Sequence, residues 1–322
     1  MSTTKKLTEA SLLSSLFIVT TIIAVGTGLG YGIYLDFIVP IFFCVVCLKC
    51  ELKYTVLSGV SSLIIIFLVL GNIGAAIWSS QSIVLGIVCG YLLSRDSTII
   101  DDLVYGSIIG IMLMVFVDIY ASAIIGYSFM KEFQGYANMF PFKEYAEIVY
   151  YLFIAVFPLG MFFSIYSLSL FVGKKLDILR GNTKKKLYVI SNFRNYGRFV
   201  CCSKKVFYIC VTWIILVDLL KLIQIHIDNT YINTIVISSQ YICYYFVIKD
   251  SFSTIQNYIF SKYNKVLYVR ILSIIILILL MIIFKITTMI LVSISVLLDK
   301  KINIRVKQMN IVSSYADTFA KR

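Results

Sequence analysis

LVYGSIIGIMLMVFVDIYASAIIG, residues 103–126, carries a single charged side chain, Asp118. As a helix this stretch reaches about 36 Å, enough to cross a hydrocarbon layer of about 30 Å. In lipid a lone segment satisfies its backbone hydrogen bonds only by closing them on itself, so it must be helical. Comparable runs lie at 11–30, 33–48, 54–70, 73–93, 147–172, 207–225, 232–248 and 267–298. Apolar residues make up 60% of the 322 and charged ones 14%, with only 3 prolines, more apolar surface than a soluble core of this size has use for. The expected fold is all-α, a polytopic transmembrane helical bundle.

Charge decides how the stretch 267–298 is counted, and eight to ten crossings are open. If the N-terminus is cytoplasmic and this stretch folds back near Lys285, there are ten spans, and 25 of the 29 basic residues fall on the cytoplasmic side. With a single final span the split is 19 against 10. Basic residues collect in cytoplasmic loops, so ten spans with both termini cytoplasmic is the expected topology. The net charge of +13 follows from the same rule and does not call for a nucleic acid. The first run lacks a small-residue cleavage site and is expected to be an uncleaved anchor. The cell membrane is the expected location.

Residues 173–206 form the one long basic loop and divide a membrane half, 1–172, from a C-terminal part, 207–322, of three to four spans with a basic tail. Phe193, Tyr196 and Phe199 alternate with Arg194 and Arg198. That pattern suits a helix on anionic lipid or a docking surface for a cytoplasmic partner.

Charged residues within spans are functional candidates. Asp118 has no basic residue on its own face within a turn or two, and is a candidate for a cationic group, a proton or an ion; the alternative is a carboxyl kept neutral by burial, or capped by a hydroxyl or a Tyr on a neighbouring helix. Asp36, just inside the second span, is a candidate for the rim of a pocket. Asp218 and Lys221, three residues apart, are expected to form an intramembrane ion pair. His226 and Asp228 follow at the end of that helix. Glycines at 26, 28, 30 and 32 loosen the first connection, and Gly28 and Gly30 are candidates for a loop over a ligand.

Small residues spaced by four let helix backbones approach closely. Ala10/Ser14 and Ser58/Ser62 could serve the bundle or a partner. Cys44, Cys47 and Cys50 drift around a helix instead of closing a tetrahedral site, so no metal is expected. No enzyme motif and no cofactor site is legible.

Three stretches carry a resemblance. KKLTEASLLSSLFIVTTIIAVG, QSIVLGIVCGYLLSRD and MILVSISVLLDKKINIRVK resemble the YybS-like predicted membrane proteins of low-GC bacteria. The N-terminal portion of that family is similar to the S-components of energy-coupling-factor transporters. These are six-helix bundles that bind a small molecule near the outer face and dock onto a transmembrane coupling protein driven by ATPases. The resemblance implies an S-component-like unit over residues 11–172, docking through Ala10, Ser14, Ser58 and Ser62, with Gly26–Gly32 over the pocket. The chain departs from it by about four further spans.

The expected function is therefore solute binding related to transport, without an ATPase of its own. The alternative is a membrane scaffold acting through the basic loop.

Overall fold

The computed structural model describes residues 3–28, 31–139, 141, 143–223 and 229–320, and every regular element among them is helical. Helix α1 (Thr3–Thr27) is followed by α2 (Tyr31–Ile33), which runs through a π-helical segment (Tyr34–Ile38) into α3 (Val39–Cys50). Then come α4 (Leu52–Leu70), α5 (Ile73–Ser94), α6 (Ile99–Ile124), α7 (Phe129–Asn138), α8 (Ala146–Lys175), α9 (Asn182–Ser191) and α10 (Phe193–Tyr196). The chain closes with α11 (Lys204–Leu222), α12 (Thr230–Tyr263), α13 (Val266–Ile282), α14 (Phe284–Ile302) and α15 (Ile304–Ala320). Among the described residues, 6 helices are long and apolar enough to cross a membrane: α1, α4, α5, α6, α8 with its preceding 3-10 turn, and α12.

Two compact units result. The first is Met1–Asp96 with Tyr105–Leu187; the second is Ser97–Val104 with Tyr188–Arg322.

In the first unit, glycines set the helix spacing. A Cβ on Gly86 would lie 2.4 Å from the carbonyl oxygen of Pro40, and one on Gly90 would lie 2.6 Å from Cys47 Cβ. Helix α5 therefore sits directly against α3, and Cys44 and Cys47 are small residues facing that seam. Cys50 packs with Ala10 and Val46. In α6, Gly106 and Gly110 leave room for Phe162 and Pro158 of α8. Phe17, Leu35, Val39, Phe43, Ile66 and Ile83 make the core between these helices. The turn from α4 to α5 is tight: Gly71 closes α4 with φ of 59°, and Asn72 caps α5 by accepting from Ala75 N at 3.1 Å. Helix α1 ends earlier than the expected 30, because Gly28 turns left-handed with φ of 65°. Gly30, His226 and Asp228 lie outside the described residues.

In the second unit the stretch 267–298 breaks at Ile283 (φ −136°, ψ 69°), two residues before Lys285. Thr287 Oγ1 donates back to Leu279 O at 3.0 Å, and Ile276 and Leu291 share a cluster with Ile255 of α12. Helix α12 extends past the apolar run 232–248, running without interruption to Tyr263 and burying Asp250, Ser253 and Thr254. The basic tail is helical as well, and Arg305 near its start is fully buried. Both follow from tertiary partners: Arg305 meets Asp250 at 2.8 Å and Asp299 at 3.7 Å, which lets polar helix enter the interior.

Candidate functional site

The first unit contains a cavity of about 510 Å³. The π-helical segment opens its wall. The wider π turn carries Leu35 and Asp36 to the cavity, and such segments recur at functional sites. Tyr34 fixes this segment by bonding Thr20 Oγ1 at 2.8 Å and Thr21 Oγ1 at 2.9 Å on α1. Trp78, Gln81, Ser82 and Leu85 come from α5, Met114 from α6, and Phe157 and Met161 from α8. Those α5 residues lie at intervals of three and four, so one helix face supplies all of them.

Three rings meet at one end of this cavity. Trp78 contacts Phe129 at 4.5 Å and Tyr127 at 6.0 Å, and Tyr127 contacts Phe129 at 5.2 Å, all edge-on. The Tyr127 hydroxyl donates to Glu132. Tyr127 and Phe129 flank the start of α7, and Phe133 of α7 leans on Phe157 at 5.6 Å. Helix α7 thus reaches the cavity wall through Phe129 and leans on α8 through Phe133.

Asp118 holds the start of that helix in place. It is fully buried, and its oxygens accept from Ser128 Oγ at 2.9 Å and from Met130 N at 3.3 Å. Ser128 in turn caps α7 by accepting from Lys131 N at 3.2 Å. A carboxylate at a helix N-terminus also meets the positive end of the dipole. Asp118 is not part of the cavity wall; Asp36 is, and among the described residues it has neither hydrogen bond nor ion pair. Gly32 lines the cavity, and Gly28 has open space around it.

The remaining candidates lie elsewhere. Ala10, Ser14, Ser58 and Ser62 are buried where α1 meets α4. Ser14 Oγ is 2.6 Å from Ser62 Oγ, and Ser58 Oγ donates to Ala10 O at 3.4 Å. Asp218 accepts from Gln240 Nε2 at 3.1 Å and Tyr244 OH at 2.7 Å, with Lys285 at 3.4 Å. Lys221 donates to the other end of the same Gln240 amide at 2.9 Å, so Gln240 bridges the expected pair. In the basic loop, Phe193, Arg194 and Arg198 are exposed and Phe199 is half-buried. Tyr196 instead packs against Tyr188 at 5.8 Å and Tyr315 at 5.5 Å, and the Arg198 carbonyl accepts from Asn257 at 2.7 Å.

Sequence reading missed the aromatic trio and the Arg305 cluster. For the trio the available signal was aromatic: Trp78 and Phe129 each stand near a helix start. For Arg305 it was a pair of carboxylates, Asp250 and Asp299, each at the end of an apolar run.

Residues 12–140 match a family model described as "Predicted membrane protein (DUF2232)". The match covers less than half of the chain and runs from within α1 to just past the end of α7. No curated protein and no solved structure matches. Together with the 6 spanning-length apolar helices, this match makes the chain an integral membrane protein.

Proposed function

We propose that the first unit binds a small solute in the Asp36 cavity, and that the protein captures this solute for transport without an ATPase of its own. One observation carries the reading: a cavity of about 510 Å³ whose wall includes a carboxylate with no partner among the described residues. Volumes of about 300–1,000 Å³ suit small ligands, and a carboxylate facing an apolar wall is costly unless something neutralises it. Among the described lining residues there is no histidine, cysteine, lysine or serine–base pair, so binding fits the wall better than catalysis.

The resemblance to YybS-like proteins and to S-components supports the same reading. With ten crossings and both termini cytoplasmic, Asp36, Trp78, Tyr127 and Phe157 fall in the outer half of the bilayer, where an S-component takes its ligand. A coupling protein driven by ATPases would be the partner. Ala10, Ser14, Ser58 and Ser62 are engaged between α1 and α4. Ser11 and Ser15, the exposed partners of those positions on α1, are therefore residues such a partner would meet.

The test is mass spectrometry of small molecules released from protein purified in mild detergent from its native host, beside the Asp36→Asn variant. A stoichiometric molecule present in the first and depleted in the second supports the proposal. A molecule retained equally by both, or none in either over repeated preparations, overturns it.

A further inference from the structure

We propose that the ligand of this cavity is a small organic monocation: a protonated amine held by Asp36, attached to an apolar or aromatic body. The inference rests on the cavity being a ligand site and adds its chemical class.

Charge comes first. Asp36 is the one acidic side chain of the wall, and no lysine, arginine or histidine lines it among the described residues. Tyr127, the other titratable group, is an ordinarily neutral phenol whose hydroxyl donates to Glu132. A carboxylate or phosphate would enter a site carrying like charge with nothing to offset it. A cation would neutralise Asp36 where the apolar surroundings strengthen the attraction.

Hydrogen bonding narrows the class. The Ser82 hydroxyl donates to Trp78 O at 3.1 Å, which leaves its oxygen as an acceptor towards the cavity. Asp36 offers only acceptors when ionised, and Gln81 offers an acceptor and a donor. The wall is therefore rich in acceptors and suits N–H donors, which a primary or secondary ammonium has and a quaternary one lacks.

The rings fix the rest of the molecule. Trp78, Tyr127 and Phe129 stand at one end, and rings of this kind attract a nearby cation as well as flat apolar groups. A body of one or two rings fits a volume of about 510 Å³.

The test uses full-length protein in detergent with Trp213→Phe, which leaves Trp78 as the one tryptophan of the 2 in the chain. Phenethylammonium, 2-phenylethanol and 3-phenylpropionate are titrated at pH 7 and followed by Trp78 fluorescence. The expected result is that phenethylammonium binds at least about tenfold more tightly than either analogue. Asp36→Asn should remove that preference and leave the affinity for the alcohol unchanged, while Asp36→Glu keeps the preference. If the alcohol or the carboxylate binds as tightly as the amine, the charge assignment is overturned and the cavity remains a ligand site. If none of the three binds at millimolar concentration, the cation assignment is again overturned. The released-molecule assay then judges the ligand reading by itself.

Discussion

Arg305 and Asp250 meet at 2.8 Å with both side chains fully buried, although 55 residues separate them. The guanidinium also lies 3.7 Å from the centroid of the Phe207 ring and donates to Ser295 Oγ at 3.0 Å. Asp250 takes a further bond from Cys202 N at 2.7 Å, and Asp299 pairs with Lys204 at 3.2 Å. Helices α11, α12, α14 and α15 are joined through one cation. Removing it leaves the buried Asp250 without its main counter-charge and Asp299 with Lys204 alone, so Arg305→Ala should cost about 3–5 kcal/mol. Thermal unfolding in detergent measures this, and a change below 1 kcal/mol would show that Asp250 and Asp299 relax to other partners. Pairing Arg305→Met with Asp250→Asn should recover part of the loss.

The glycines of α5 give a paired test. Gly86→Ala pushes a methyl group to 2.4 Å from a backbone oxygen and should destabilise by about 1–3 kcal/mol. Gly160→Ala, within α8 with nothing closer than 4 Å, should be neutral or stabilise by about 1 kcal/mol. Equal effects at the two sites would contradict the close approach of α3 and α5.

What hydropathy makes legible is the solvent. Apolar runs place the helices because lipid demands them, and Gly71 marks a helix end by backbone rules alone. Asp36 stands out as a charge just inside a span for the same reason. Partners are not legible in this way. Arg305 resembles any tail arginine until Asp250 and Asp299 are brought beside it, and Asp118 resembles a lone intramembrane charge until Ser128 and Met130 N fold back onto it. Ser14 and Ser62 carry no sign of whether they face a neighbouring helix or another protein. Each of these facts depends on contacts between distant segments.

Asp118 and Asp36 are expected to behave differently. Asp118→Ala frees the start of α7, so amide exchange over residues 128–138 should quicken, with a loss of about 1–3 kcal/mol. Asp36→Asn should leave exchange over those residues unchanged. Hydrogen exchange read by mass spectrometry separates the two, and unchanged protection in Asp118→Ala would remove its role in holding α7.

Cys201 supplies a pH dependence. Burial raises its thiol from 9.0 to about 12, with the Asp250 charge adding to the rise, and Cys202 beside it is raised as well. A raised acid stays protonated in the folded state while the unfolded chain ionises. The stability it contributes is therefore complete below pH 9.0 and is lost as pH climbs towards about 12. Unfolding midpoints should fall across that window and less steeply in Cys201→Ser. Maleimide should leave both thiols unmodified at pH 7.5 until the protein is denatured.

A reporter fused after Arg322 addresses the crossing count. Ten spans from a cytoplasmic N-terminus require a cytoplasmic signal; a signal on the far side means an odd number and removes the fold-back as a second crossing.

Helix α12 has 34 residues and so is about 51 Å long, some 20 Å more than the hydrocarbon needs. If its apolar part, 232–248, occupies the bilayer, Asp250 and the arginine it holds stand beyond the lipid tails. The driest place in the second unit is then walled by protein and not by fatty acids. Stripping lipid, or moving the protein between membranes of different thickness, should disturb the crossings and leave this knot of charge intact.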